Sequence, residues 1–195
     1  MARWRLGHNG VMPESGVRLA RTPDVDDVAA VNIRSWRQRF AAALPPEVLD
    51  SLDAADLAMV WASGILNPPT PQHRLLVAVD DGDIVGYAAI GPSQDPDADG
   101  TTVELVALEV DPDRQRAGHG SRLMSAAVAH AESLGMTEAA TWCPVGDEPR
   151  RAFLQSAGWG PDTAYRDLLV GVSEDGQDVL LREARLVTVL DAPGA

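Results

Sequence analysis

Cysteine and basic residues are both scarce in this 195-residue chain, and each shortage closes off a class of function. The single cysteine, Cys143, cannot form an internal disulfide and has no partner for a cysteine-based metal site. The four histidines, His8, His73, His119 and His130, show no HExxH-type spacing, so no metal is expected. Lys and Arg number 16 against 29 Asp and Glu, a formal net charge of −13, which argues against nucleic-acid binding built on phosphate neutralisation. An acidic field suits a cationic partner such as an amine or a basic peptide, although solubility alone accounts for most acidic surfaces. Apolar runs stop far short of the ~18–20 residues that span a bilayer, so no membrane partner is expected. The stretch from Met1 to Gly16 lacks an apolar signal core and is read as a flexible extension, with a cytoplasmic location and one domain over 17–195.

The domain's pattern is mixed. Val17–Leu19 is a short strand, and TPDVDDVAAVNIRSWRQRF predicts an amphipathic helix with Thr22 as N-cap and Pro23 at its first position. A second helix is expected from Leu44-Pro45-Pro46 to about Gly64. Leu75–Val79 and Ile84–Ile90 flank Asp80-Asp81-Gly82-Asp83 as a hairpin, and Val103–Val110 is the next strand. Gly118–Leu134 has helical spacing and ends at Gly135. Glu138–Cys143 is a strand, Glu148–Ser156 a short helix, and Tyr165–Val172 with Asp178–Leu190 a closing strand pair. The fold class expected is α/β (α+β mixed), a mostly antiparallel sheet flanked by helices.

Between strand and helix lies RQRAGHGSRL. A helix N-terminus presents unpaired N–H groups and partial positive charge, and Gly118 and Gly120 let a bulky anion approach the backbone. Arg116 and Arg122 add charge, so phosphate is the natural guest. Gly120 is followed by Ser121-Arg122, which excludes a Walker A loop, and Leu123 fails the third glycine of a dinucleotide fingerprint.

The remaining pattern, a strand, then Asp111-Pro112-Asp113-Arg114-Gln115-Arg116-Ala117-Gly118-His119-Gly120, then a helix, closely resembles motif A of the GNAT superfamily of acetyl-CoA-dependent N-acetyltransferases. RLARTPDVDDVAAV, DGDIVGYAAIG and RRAFLQSAGW resemble that family's first strand and helix, second hairpin and motif B, covering about residues 17–190. The resemblance implies transfer of acetyl from acetyl-CoA to a small-molecule or peptide amine by direct attack, with a homodimer as one possible assembly. It implies that Arg116, Ala117, Gly118, His119, Gly120 and Ser121, behind Gln115, hold the pyrophosphate. Leu108, Glu109 and Val110 would hold the pantetheine arm and acetyl carbonyl.

Glu104 takes the position of the family's strand glutamate that acts as general base. By simple alternation it shares a face with Val106 and Leu108, while Glu109 points to the other face, toward substrate or solvent. Asp95, Asp97 and Asp99 are read as solvated loop charge that could greet a cationic amine. In motif B the family often places an asparagine and, seven residues on, a tyrosine that protonates the leaving thiolate; here those positions hold Asp147 and Leu154. Asp147 is read as a helix cap in contact with CoA. Leucine donates no proton, so Tyr87, Tyr165 or water must act, or the thiolate leaves unassisted. Alternatively the chain is an acyl-CoA-binding or regulatory module with little turnover. Cys143 is read as buried packing, and His119 as an outward side chain within reach of phosphate.

Overall fold

The computed structural model describes residues 15–191. The extension assigned to residues 1–16 lies almost wholly outside them; Gly16 already opens the first strand. Seven strands, β1 (Gly16–Leu19), β2 (Arg74–Asp80), β3 (Asp83–Pro92), β4 (Thr102–Val110), β5 (Glu138–Pro144), β6 (Gly160–Val172) and β7 (Asp178–Val189), form one sheet in the order β1-β2-β3-β4-β5-β7-β6. Every pairing is antiparallel except β4 with β5. The mixed, mostly antiparallel sheet expected from the sequence is the one observed.

Five helices cover it: α1 (Val25–Phe40), α2 (Pro46–Asp50), α3 (Ala54–Leu66), α4 (His119–Ser133) and α5 (Glu148–Ser156). On one face Val28 and Val31 of α1 bury against Val77, Val79 and Tyr87. On the other, Leu123, Met124, Ala127 and Ala131 of α4 and Leu154 of α5 close a larger core with Leu76, Ala88, Ile90, Leu105, Leu108 and Trp159. Leu154 and Leu123 are fully buried.

Two local expectations need correction. Thr22 does not cap α1: Thr22–Asp24 form a 3₁₀ turn, and Asp24 turns back to accept from Arg18 Nη1 at 2.6 Å and from the Arg21 amide at 2.7 Å. The single helix over 44–64 is two, because Asp53 Oδ1 accepts from the amides of Ala55 and Asp56 at 2.8 and 3.0 Å and starts a new helix. The break lets Val48 and Leu49 of α2 pack with Phe40, Leu44 and Leu181, while α3 runs on past Gly64 to Leu66.

The decisive irregularity is in β4. Ala89 pairs with Ala107 but the next residue, Ile90, pairs with Leu105, so Val106 is the extra residue of a β-bulge and is 59% exposed. An inserted residue reverses the in-out count beyond it. Glu104, opposite Gly91, and Glu109, opposite Tyr87, therefore lie on the same face, contrary to the alternation expected.

Candidate functional site

Parallel β4 and β5 stay paired only from Thr102 to Glu104, opposite Glu138 to Ala140, and then part. Beyond Glu104, side chains rather than a strand meet the carbonyls along the open edge of β4. Thr141 Oγ1 donates to Leu105 O at 2.8 Å, Arg150 Nη1 to Leu108 O at 2.9 Å, and Gln115 Nε2 to Val110 O at 3.4 Å. The wedge between the strands is bounded by Cys143 and Pro144 of β5 and by the first turn of α5, whose Asp147 cap accepts from the Arg150 amide at 3.1 Å.

At the wedge's end the chain turns sharply into α4. Asp111 ties the turn to α1 through Arg34, at 2.9 Å from Nε and 2.5 Å from Nη2. Arg116 at φ 63° and Gly118 at φ 82° are left-handed, a conformation that favours glycine at the second position. The first turn of α4 has N–H groups without intrahelical partners, and its first backbone bond runs from Arg122 N to Gly118 O at 3.1 Å. Residues Gln115 to Gly118 and Ser121 are exposed. A Cβ on Gly120 would meet only Phe153 at 3.5 Å and Val110 at 3.7 Å, so packing does not demand a glycine there. The structure corrects one member: His119 is buried, not outward. Its Nδ1 accepts from Arg122 Nη2 at 2.9 Å, its Nε2 lies 3.7 Å from Asp80, and burial, aided by Arg122, lowers its pKa.

Sequence reading missed a buried charge cluster beside the wedge, formed by Arg39 of α1, Glu109 of β4 and Asp147 and Arg150 at α5. Arg39 Nη2 donates to Glu109 Oε2, Ser35 Oγ donates to the same oxygen at 2.5 Å, and Arg150 Nη1 lies 3.7 Å from Glu109 Oε1. Arg39 Nε lies 3.7 Å from Asp147 Oδ2. Burial, with Arg150 adding repulsion, brings the Arg39 pKa down to about 10. No short-range pattern marks such a set, since α1 and α5 are far apart in sequence.

At the paired end of β4 the charge balance is different. Glu104 is buried, and its nearest cation is Arg166 Nη1 at 3.8 Å, which Glu183 holds from Nε at 2.7 Å. Burial pushes the Glu104 pKa up; Arg166 opposes the shift, and Asp95 and Glu183 add to it. Arg185 gathers Asp95, Asp97 and Asp162 at 3.1, 2.5 and 2.7 Å, and the Trp142 ring lies under both arginines, 4.4 Å from Arg166 and 5.8 Å from Arg185. Asp95 and Asp97 are thus pinned to β7 rather than free loop charge; the bond to Arg185 brings the Asp97 pKa down to about 2. Asp99 instead accepts from Thr101.

The two tyrosines lie apart. Tyr87 is fully buried on the α1 face, accepts from Asn32 Nδ2, and burial pushes its pKa up to about 12. Tyr165 is 56% exposed on the edge strand β6, opposite Ala184 and on the Cys143 face. Cys143 is buried in the core, and burial pushes its thiol up to about 11. Among the described residues no group of three His, Cys, Asp or Glu side chains is arranged to hold a metal ion, and no helix is long and apolar enough to cross a membrane.

Known proteins share this fold. PaiA N-acetyltransferase from Thermoplasma acidophilum, solved in complex with coenzyme A, superposes with a TM-score of 0.68 at 16% identity, covering 87% of this chain and 98% of that one. YncA from Salmonella typhimurium, solved with its cofactor acetyl-CoA, gives a TM-score of 0.64 at 23% identity over 92% and 95% of the two chains. By sequence, the uncharacterized N-acetyltransferase YuaI of Bacillus subtilis is 28% identical over 77% of this chain and 82% of its own. The mycothiol acetyltransferase of Kineococcus radiotolerans is 38% identical over 74% of this chain but 40% of its own. The model of the acetyltransferase (GNAT) family matches residues 33–159, and the chain, with a strand-loop-helix and a parted β4–β5 pair inside that span, belongs to this family of acyltransferases.

Proposed function

We propose that this acyltransferase moves an acetyl group from acetyl-CoA to a primary amine by direct attack. The observation that carries the reading is the continuity of the wedge with the loop Gln115–Ser121: the open edge of β4 ends where free helix N–H groups begin. The residues suit the cosubstrate. Gly118 is needed for its left-handed backbone, while Gly120 is required by neither its conformation nor its packing, which leaves the loop bare for an approaching anion. Loop amides and the α4 N-terminus would hold the pyrophosphate, and the backbones of Leu108 and Val110 would align the pantetheine arm. Acetyl-CoA supplies the activated thioester.

Glu104 is the general base. Its raised pKa makes it a stronger proton acceptor than an exposed glutamate, and its surroundings are short of positive charge: Glu104, Glu183, Asp95, Asp97 and Asp162 outnumber Arg166 and Arg185. That excess favours an ammonium acceptor. A covalent intermediate on Cys143 is disfavoured, because a thiol pushed up to about 11 offers little thiolate at neutral pH. One observation favours a second reading, an acyl-CoA-binding module with little turnover: Leu154, in the motif B tyrosine position, is locked into the core.

The test is calorimetric titration of the protein and of Gly120→Glu with acetyl-CoA and CoA, followed by a thiol-release screen over an amine panel. The wild type should bind, and the variant, whose Cβ fits, should bind at least roughly tenfold more weakly, because a carboxylate at the helix N-terminus repels pyrophosphate. Absence of wild-type binding would overturn the reading, and binding without turnover would favour the module.

A further inference from the structure

We infer that Arg150 meets the departing sulfur with a fixed positive charge, stabilising it as thiolate where the described residues offer no well-placed proton donor. The inference rests on the acetyl-transfer reading above. In the transfer, the amine nitrogen bonds to the acetyl carbon, the amine's proton passes to Glu104, and the carbon–sulfur bond breaks with its electron pair going to sulfur. The sulfur therefore leaves as an anion, and something on the protein must accommodate it.

The available donors are poorly suited. Leu154 is apolar and fully buried. Tyr87 holds its proton to about 12 and is engaged with Asn32. Tyr165 projects from the outer strand with more than half its surface exposed, and Cys143 is held protonated by burial. Arg150, by contrast, lies four residues before Leu154 on α5, on the same helical face and one turn nearer the wedge. Its Nη1 donates to Leu108 O at 2.9 Å, on the stretch of β4 expected to align the thioester, and its side chain is 13% exposed. Its buried Nε has no hydrogen-bond partner. A guanidinium carries five donors, so it can keep the Leu108 bond and still face a ligand.

Its charge is also the less compensated of the pair. Arg39 has both Glu109 and Asp147 within reach, whereas the carboxylate recorded near the Arg150 guanidinium is Glu109, at 3.7 Å and already held by Arg39 and Ser35. The charged and titratable groups around this end of the wedge are Arg39 from α1, Tyr87 from β3, Glu109 from β4, Cys143 from β5, Glu183 from β7, whose charge opposes a thiolate, and Asp147 and Arg150 at α5. A thiolate delivered there approaches a cation among the buried side chains of Glu109, Tyr87 and Cys143, where such a charge lowers a neighbouring acid's pKa by roughly 1–3 units.

The experiment reads the thiol of bound CoA directly and needs no acceptor. Ultraviolet thiolate absorbance is followed from pH 5 to 9 with CoA saturating the wild type, Arg150→Lys, Arg150→Gln and Arg150→Met, each corrected for protein alone. Cys143 and Tyr87 titrate above this window. At the acid end of the window, below about pH 6.5, wild type and Arg150→Lys should show at least roughly tenfold more thiolate than free CoA at the same pH, and the neutral variants should lose that excess. An unshifted or raised thiol pKa in the wild type overturns the inference without any variant, and so does an equal shift in all four proteins; the acetyl-transfer reading survives both outcomes. If the wild type binds no CoA, that reading fails and this inference with it.

Discussion

Glu104 and Glu109 lie on one strand and one face, yet their surroundings are opposite in kind. Glu109, beyond the bulge, accepts from Arg39 and Ser35 and has Arg150 nearby, so its charge is met on both oxygens. Glu104, before the bulge, is equally buried but has no cation closer than 3.8 Å, and that cation belongs first to Glu183. A carboxylate saturated with partners is fixed in place, and contributes structure. One that is desolvated and poorly matched is a better proton acceptor, and contributes reactivity. The same residue type meets two opposite environments through its neighbours alone.

The largest test of this division is Glu109→Gln. It leaves two buried guanidinium groups facing an amide, and breaking such a set costs about 3–5 kcal/mol. Denaturant unfolding should show that loss; a change below about 1 kcal/mol would mean that Glu109 is not the structural member. Glu104→Gln should behave in the reverse way, lowering kcat/KM by about a hundredfold or more with the unfolding midpoint not lowered. The pH dependence has a definite sign. Burial raises the Glu104 pKa, so the native state disfavours its charge; wild-type stability from this group falls as pH rises through the folded pKa, while activity climbs over the same interval. That interval lies above the ordinary glutamate value, and the rising limb should vanish in Glu104→Gln; a limb unchanged in the variant would remove the base assignment. The smallest effect is expected for Asp147→Ala, about 1 kcal/mol from the lost cap on α5, read in the same unfolding experiment. A loss near that for Glu109→Gln would show that Asp147 is an equal partner in the cluster.

Much of this was legible in the sequence. The turn at Asp80–Asp83, the helix ending at Gly135 and the glycine loop after β4 are written in local chemistry: turn residues, caps and periodicity act over a few residues and need no distant partner. The break at Asp53 was written there too, as an N-cap read past by the hydrophobic pattern on either side.

The sequence by itself therefore determined the order of the main elements, the family and the glycine loop that leads into α4. Tertiary structure alone decided which side chains meet. The bulge at Val106 placed Glu104 and Glu109 together because an inserted residue shifts the count of two without any mark in residue type. His119 turned inward between Arg122 and Asp80 of β2, and the cluster of Arg39, Glu109, Asp147 and Arg150 arose because α1, β4 and α5 pack around one wedge, where long side chains settle as buried charge finds its partners.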